Sequence, residues 1–374
     1  MTKSPYDVAV LGGGILGCTV ALFLARGGMR VAVIERGALC REASGRNAGG
    51  LAIQVKPAAL IPYALKSWEL WRTTADWLGA EVGFEVRGGL TFAFDEAEAE
   101  MLESRTKARQ AAGAPIEIIG PNRAREIEPG FTGTAALASY CALDAFADST
   151  LTGFAYRGAL ARAGVAIMEN TAATGIDRNG DGFAVNTAGA PIRARRLVLA
   201  GGVWLVEMAR WLGIDIPIRC AVPSVTVTER MPPIFRAIIG VASGRLTLKQ
   251  AANGTVLIGG GWQGTGDARH GGLDVISENL IGNLRLAHHV IPGLAQARVA
   301  RTWLGLEAHA PDSMPLVGPL PGIGNAFVIG CVWGGFSHGP LVGRMLADEI
   351  LGREPEMPLF DPRRLFRNDP PDTG

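Results

Sequence analysis

The chain is short of the features that would take it out of the ordinary globular class. Its five cysteines, Cys18, Cys40, Cys141, Cys220 and Cys331, are odd in number and scattered, with no C-x-x-C pair. That excludes a disulfide framework and a cysteine zinc site, so reduced thiols in a cytoplasmic protein are expected. An excess of either charge is missing too, with 36 Lys and Arg against 35 Asp and Glu. A net charge of +1 sets up no field for a polyelectrolyte, and nucleic acid is not an expected partner. There is no internal repeat and no low-complexity linker. Met1 leads within a few residues into an apolar run, so no signal peptide is expected. The uncharged run from Val8 to Ala25 is long enough to suggest a membrane span. Its glycine triplet and the acid-terminated apolar stretch after it read instead as strand–turn–helix, so no transmembrane segment is expected.

What is present fits a large core. With 48% hydrophobic and 19% charged residues over 374 positions, the chain has the length and composition for two domains. Glycine, at 51, is abundant, as expected where backbone must lie close to a ligand.

The beginning organises the rest. Val8 to Leu11 read as a buried strand, Gly12, Gly14 and Gly17 stand at G-x-G-x-x-G spacing, and an apolar helix follows from Ile15 to Ala25. Arg30 to Ile34 then forms a second strand that ends in Glu35. Gly12 serves the tight turn, Gly14 the close approach of a pyrophosphate, and Gly17 the contact of helix with strand. Glu35 follows Gly12 by 23 positions, where a carboxylate accepts both ribose hydroxyls of an adenosine. The same carboxylate disfavours a 2′-phosphate, which leaves NAD and FAD.

Residues 36–51 form a glycine-rich irregular segment dense in donors: Arg36, Ser44, Arg46, Asn47, Gly49 and Gly50. Helical spacing runs from Ala58 to Ala80, with Leu60, Tyr63, Leu65, Trp68, Leu70, Trp71 and Trp77 as core. A strand is expected over Gly88–Phe94 and a charged surface helix over Glu96–Ala111. A helix is expected from Asp148 to Ala163, and strands over Val165–Asn170 and Ile192–Gly202, the latter leading through Ala200, Gly201 and Trp204 into another helix. Ile216–Glu229, Leu246–Leu248 and Thr255–Gly259 alternate like antiparallel strands, Gly266–Gly272 reads as a loop, and Val275–His289 as a helix. Near the end a strand, Ala326–Ile329, meets a second glycine loop, Gly330 to Gly339, and a helix expected from Pro340 to Leu351, where proline suits the first turn. Two donor-lined turns suit a flavin adenine dinucleotide better than a nicotinamide.

These motifs together resemble the D-amino-acid-oxidase-like superfamily of FAD enzymes, to which glycine oxidase, sarcosine oxidase, hydrogen cyanide synthase and opine oxidase subunits belong. The similarity is carried by Gly12 to Gly17, Glu35-Arg36, Ser44 to Gly50, Leu199 to Trp204, Trp303-Leu-Gly305, Pro311-Asp312, Pro315 to Gly318 and Gly335 to Arg344. It implies an α/β chain: a Rossmann-type FAD-binding domain (1–88, 145–215 and 296–374) with an inserted antiparallel β-rich substrate domain (89–144 and 216–295). It also implies FAD, with Glu35 on the ribose and Gly14, Ile15 and Leu16 on the pyrophosphate. Arg36, Ser44, Arg46, Asn47, Ala48, Gly49, Gly50 and Leu51 lie along the cofactor, main chain near Ala173 holds the adenine, and Ala200, Gly201 and Trp204 complete that side. Gly305, Gly330, Gly334, Gly335, Phe336 and Ser337 face the flavin. Gly305 stands where some members carry a flavin-linking cysteine and Arg46 near where others carry a histidine, so non-covalent FAD is expected.

The departures concern substrate. Glycine-oxidase-like members place an arginine after the W-x-G-L stretch, where this chain has Glu307. Gly330-Cys331 replaces a common Gly-His pair, and Trp333 stands where some members carry a second arginine. Leaving a substrate carboxylate unpaired costs roughly 2–5 kcal/mol. Either Arg245, Arg301 or Arg87 takes over, or the substrate differs and Glu307 draws a cationic amine. His338 reads equally as helix packing or substrate contact, His309 as a loop residue, Arg301 as a substrate ligand or an ion-pair member, and Trp262 as core. The expected activity is oxidation of a secondary amino acid such as sarcosine, iminodiacetate, an opine or a proline-like compound, with Glu307, Arg245, Arg301, Trp333 and His338 around the substrate and dioxygen as acceptor. A component of a hetero-oligomeric opine or hydroxyproline dehydrogenase, a homo-oligomer, a non-catalytic flavin scaffold and an NAD dehydrogenase are the alternatives.

Overall fold

The strand Tyr6–Leu11 pairs in parallel with Val31–Ile34 on one side and Ile192–Leu199 on the other, in register Leu11 to Ile34 and Leu11 to Leu199. Val8 to Leu11 and Val31 to Ile34 are buried throughout, as strands covered on both faces must be. Ala166–Met168 extends the sheet beyond Val31–Ile34, and Ala326–Gly330 extends it beyond Ile192–Leu199, both in parallel. The five parallel strands are therefore of the Rossmann type, with the expected helix Ile15–Arg26 leading off the first. An antiparallel hairpin, Gly175–Asn179 with Gly182–Asn186, adds to the start of Ile192–Leu199, and Leu316–Pro319 pairs back on Ala326–Gly330.

The computed structural model describes residues 5–180, 182–331 and 334–366. Two compact units emerge: one takes the chain up to Ser44, Gly153–Cys220 and the part from Ala308 onward, the other Gly45–Thr152 and Ala221–Glu307. The partition differs from the expected one in that 45–88, 145–152 and 296–307 join the second unit and 216–220 the first. For 45–88 and 145–152 the reason is a three-stranded sheet in which Ala145–Phe146 pairs with both Gly50–Leu51 and Glu85–Val86, and for 296–307 it is the pairing of Val299–Leu304 with Ser224–Thr228.

The second unit is built on an eight-stranded sheet in the order Val299–Leu304, Ser224–Thr228, Val256–Gly259, Thr247–Gln250, Ile238–Val241, Gly89–Ala93, Leu137–Cys141, Ile116–Ile119. It is mixed rather than antiparallel, because Ile238–Val241 runs parallel to Gly89–Ala93. Its core stacks Phe92 on Phe131, ring centroids 4.0 Å apart, with Leu90, Leu246, Leu248 and Ile258 around them. The charged helix Glu96–Ala111 has the expected ends: Asp95 accepts the Glu98 N–H at 2.8 Å and Glu98 accepts the Phe94 N–H at 2.9 Å, a reciprocal cap.

Two expectations need correction. The helical stretch 58–80 is broken at Thr73 into Ile61–Arg72 and Thr74–Leu78, with a 3-10 turn before it. Trp71 is core as expected and Trp68 packs against the buried Ile53, Ile61 and Cys141, while the Trp68 and Trp77 indole N–H groups donate to the Leu143 and Leu70 carbonyls. The segment 266–272 belongs to a hairpin, Thr265–Asp267 with Gly271–Asp274, since glycine removes side chains without preventing backbone pairing. Among the described residues no helix is long and apolar enough to cross a membrane.

Candidate functional site

In the first unit the glycine turn is packed to the limit that its residue type allows. Gly12 has φ +108°, and a Cβ there would stand 2.4 Å from the Ala200 carbonyl oxygen. A Cβ on Gly17 would stand 2.0 Å from the Gly12 carbonyl oxygen. Gly14 caps the helix in an extended conformation with no side-chain cap of its own, so the first-turn N–H groups, Leu16 among them, have no acceptor within the helix. Ser44 reaches this end: its hydroxyl accepts the Ile15 N–H at 2.9 Å. Glu35 is fixed by the turn itself, one carboxylate oxygen accepting the Gly13 N–H and the other the Gly37 N–H, each at 2.7 Å.

The second glycine loop opens the helix Gly335–Ile350, with Gly334 as N-cap at φ +62°. This helix starts five residues before the expected Pro340, which lies inside it. Ser337 closes the first turn by donating both its N–H, at 2.9 Å, and its hydroxyl, at 2.8 Å, to the Gly334 carbonyl. Packing against the first helix carries the chain through the proline. A Cβ on Gly339 would meet Ile15 at 3.1 Å, one on Gly343 would meet Thr19 at 2.6 Å, and one on Gly27 would meet Leu351 at 2.6 Å. Contacts that advance together along both chains mean that the two helices run parallel. Their positive ends therefore lie at the same end of the pair, the later helix starting about one turn, ~6 Å, further out.

Other residues expected at the cofactor are held by stacking, main-chain bonds and packing. Arg36 lays its guanidinium over the Trp204 ring, 3.5 Å from the centroid. The Ala200 N–H is held by Leu11 at 2.8 Å, a Cβ on Gly201 would strike Met208, and one on Gly330 would strike Leu205 at 2.3 Å. Ala173 packs on the core of this unit, and the nearby Thr171 N–H donates to the Glu35 carbonyl at 2.9 Å. Phe336 is buried. Burial pushes the Cys331 thiol up to about 12, so it is a packing residue and not a nucleophile.

In the second unit the donor-dense loop is tied down. Arg46 donates to the Leu304 carbonyl at 3.1 Å, and its own carbonyl accepts the Trp303 indole N–H at 2.7 Å. A Cβ on Gly305 would stand 3.9 Å from the Arg46 Cβ. Asn47 accepts the Gly49 N–H at 2.6 Å, bridging Ala48, and Gly49 takes φ +71° so that its carbonyl accepts the Ala147 N–H at 3.0 Å. Gly50 and Leu51 continue into the three-stranded sheet.

Of the expected substrate residues, Arg245, Arg301, Arg87 and Glu307 belong to the second unit and His338 to the first. Arg245 is exposed, stacked on Trp262 at 5.3 Å, while Trp262 itself donates to the Arg245 carbonyl rather than lying in the core. Arg301 is exposed on the edge strand, over Trp303 at 5.1 Å. Arg87 is bound by Glu85 at 2.7 Å and by the Gln250 carbonyl. Glu307 is half-buried. His338 is buried, its Nδ1 3.4 Å from the Gly334 carbonyl and 3.3 Å from the Ser337 hydroxyl. Trp333 lies outside the described residues.

Sequence reasoning passes over a buried polar group and two buried lysines. Asp144 accepts the Ile53 N–H and the Gln54 side-chain amide, each at 2.7 Å, and Ser139 donates to Gln54 at 2.8 Å. Burial lowers Lys56 to about 8 and Lys249 to about 7, with Asp144 and Glu307 partly restoring the former. Lys249 falls one residue past the expected strand Leu246–Leu248, inside the observed Thr247–Gln250, so no sequence signal marked it. Among the described residues no group of His, Cys, Asp and Glu is placed to hold a metal ion.

A family profile described as FAD dependent oxidoreductase, DAO, matches residues 7–349. The chain is 26% identical over 358 residues to glycine oxidase of Geobacillus kaustophilus (strain HTA426), covering 93% of this chain and 94% of that one. It is 27% identical over 373 residues to one of the opine oxidase subunits of Rhizobium meliloti, covering 96% and 97%. The structure superposes on that of L-proline dehydrogenase from P. horikoshii with a TM-score of 0.90 at 26% identity, covering 98% of this chain and 99% of the other.

Proposed function

This chain belongs to the DAO family of FAD-dependent oxidoreductases, and from that premise we propose that it oxidises the C–N bond of a secondary, N-substituted amino acid. The observation that carries the substrate class is Glu307, a half-buried carboxylate at the position where glycine-oxidase-like enzymes pair the substrate carboxylate with arginine. Arg245 and Arg301 are exposed, and Arg87 is ion-paired to Glu85. A carboxylate there favours the positive amine of the substrate over its carboxylate. Similarity to the opine oxidase component and to L-proline dehydrogenase supports the same class.

The residues fit FAD. The cradle that a Cβ on Gly12 or Gly17 would fill leaves bare backbone for a pyrophosphate, and the parallel helices present two positive ends on one side. Gly14 to Leu16 and Ser44 would hold the pyrophosphate, Glu35 the ribose, main chain near Ala173 the adenine, and Arg46 to Leu51 the ring system. Gly305 and Arg46 supply no linking nucleophile, so the cofactor is held without a covalent bond. Bound FAD supplies the acceptor for the hydride that leaves the carbon next to nitrogen, after which water hydrolyses the imine. The chain's part is to position: the Gly334–Ser337 helix end stabilises negative charge, and the amine, drawn to Glu307 as its cation, gives up its proton to water before the hydride leaves, because only the neutral nitrogen has the lone pair that forms the imine.

The test is anaerobic. The purified chain, yellow with flavin, is expected to bleach on addition of a secondary amino acid and to recover in air with release of peroxide, dioxygen being the acceptor. Bleaching by primary amino acids alone would overturn the substrate class. Similarity to one component of a multi-chain opine oxidase favours a second reading, in which a partner protein takes the electrons. Bleaching without peroxide release on admission of air, together with reduction of an added dye, would decide for that reading.

A further inference from the structure

The strand Thr247–Gln250 alternates: Leu248 enters the core of the second unit, and Lys249 points from the opposite face. Lys249 is 6% exposed, and its ammonium nitrogen is enclosed, with no hydrogen-bond partner among the described residues. A Cβ built on Gly49 would stand 3.6 Å from that nitrogen, and the Phe146 ring centroid lies 5.5 Å from it. Gly50 and Phe146 are paired residues of the three-stranded sheet, so Lys249 sits immediately behind the Asn47–Leu51 loop. An alkyl residue would fill this position without the cost of burying an ammonium group, so the retained charge calls for a function.

We propose that Lys249 is a positioning residue for the cofactor: its charge, placed behind Gly49, acts through the loop backbone to stabilise the negative charge the flavin acquires on reduction. The proposal rests on the placement of Asn47–Leu51 along the flavin. Taking up two electrons and one proton leaves the ring with one added negative charge, which a cation behind the loop favours. The charged groups that act on Lys249 are Arg87, over the same Phe146 ring at 4.7 Å, which disfavours the ammonium, and Asp148, which favours it. Glu85 neutralises much of the Arg87 charge through its 2.7 Å ion pair. Burial is the largest influence and brings Lys249 to about 7, so its charge changes across the neutral range.

Sulfite is the probe, because its addition to flavin N5 also leaves a negative ring and needs no substrate. At about pH 6 the holoenzyme K249M is expected to bind sulfite about tenfold more weakly than wild type, the effect of one charge felt across roughly 10 Å at protein dielectric. At about pH 9, where wild type has lost the charge, the two should agree within about twofold. K249R, charged at both values, should exceed wild type at the higher pH. K249M that retains FAD and matches wild type at both pH values overturns the proposal. If K249M fails to hold flavin, K249R decides: a pH dependence identical to wild type overturns it as well. Bleaching by a secondary amino acid is read separately, so the catalytic reading and this one can fail independently.

Discussion

Gly343 lies against Thr19 so closely that a Cβ built on it would stand 2.6 Å from the Thr19 Cβ. Thr19 cannot retreat, since its hydroxyl donates to the Ile15 carbonyl at 2.7 Å and is 2.6 Å from the buried Tyr156 hydroxyl. This contact sets the spacing of the two parallel helices, and with it the separation of the Gly14 and Gly334 turns. G343V is therefore expected to cost about 1–3 kcal/mol by overpacking and to lower flavin occupancy at the same time. The checks are the flavin-to-protein ratio and the thermal midpoint. A variant that keeps both at wild-type values would show that the helix spacing is not what holds the cofactor.

Glu35 caps the Gly13 and Gly37 N–H groups, and in the proposed function its remaining lone pairs accept the ribose hydroxyls. E35A leaves both N–H groups without their acceptor, at about 1.5–3 kcal/mol for each charge-assisted bond. The apoprotein should lose stability, and FAD affinity measured by reconstitution should fall at least about tenfold. E35Q keeps one acceptor oxygen and is expected to fall between the two.

The first unit was legible because its chemistry is local. Gly12, Gly14, Gly17 and Glu35 are dictated by a turn whose geometry tolerates few other residues, and the structure packs them as the spacing requires. Pro340 misled for an instructive reason. Proline favours a first turn, but the helix end is set by the left-handed Gly334 and the Ser337 bonds, and packing on Ile15 and Thr19 carries the helix through the proline. Ile238–Val241, a short apolar run, had no distinguishing period, and its parallel pairing with Gly89–Ala93 depends on residues far apart in the chain. Lys249 was illegible because its burial depends on which face of an inner strand meets the Gly49 loop.

The buried lysine also makes stability depend on pH in a defined direction. Folding lowers Lys249 to about 7, against roughly 10.4 in the unfolded chain. Between those values the unfolded chain binds the proton and the folded chain does not, so stability rises with pH as the unfolded chain's excess proton is titrated away. Below about 7 both states are charged and the burial penalty is constant and greatest. K249M removes the penalty. Its thermal midpoint should lie above wild type by roughly 5 °C at about pH 6, and the gap should close toward pH 10. A midpoint below wild type at the lower pH would mean that the ammonium group is stabilising where it sits.

Glu307 offers the sharpest test of substrate choice, because two roles for it predict different readouts. If its carboxylate draws the substrate amine, E307Q should raise KM for secondary amino acids by about tenfold and change the rank order among amines, with flavin content and sulfite affinity unchanged. R245A, which alters an exposed guanidinium stacked on Trp262, should leave that order alone. The competing role is structural: the Glu307 charge favours the protonated form of buried Lys56. In that case E307Q would lower the thermal midpoint most at acidic pH, where Lys56 is charged, and leave the rank order of amines as in wild type. Steady-state kinetics on a panel of primary and secondary amino acids, run beside a melting curve at two pH values, separates the two. A rank order that moves without a pH-dependent loss of stability assigns Glu307 to the substrate.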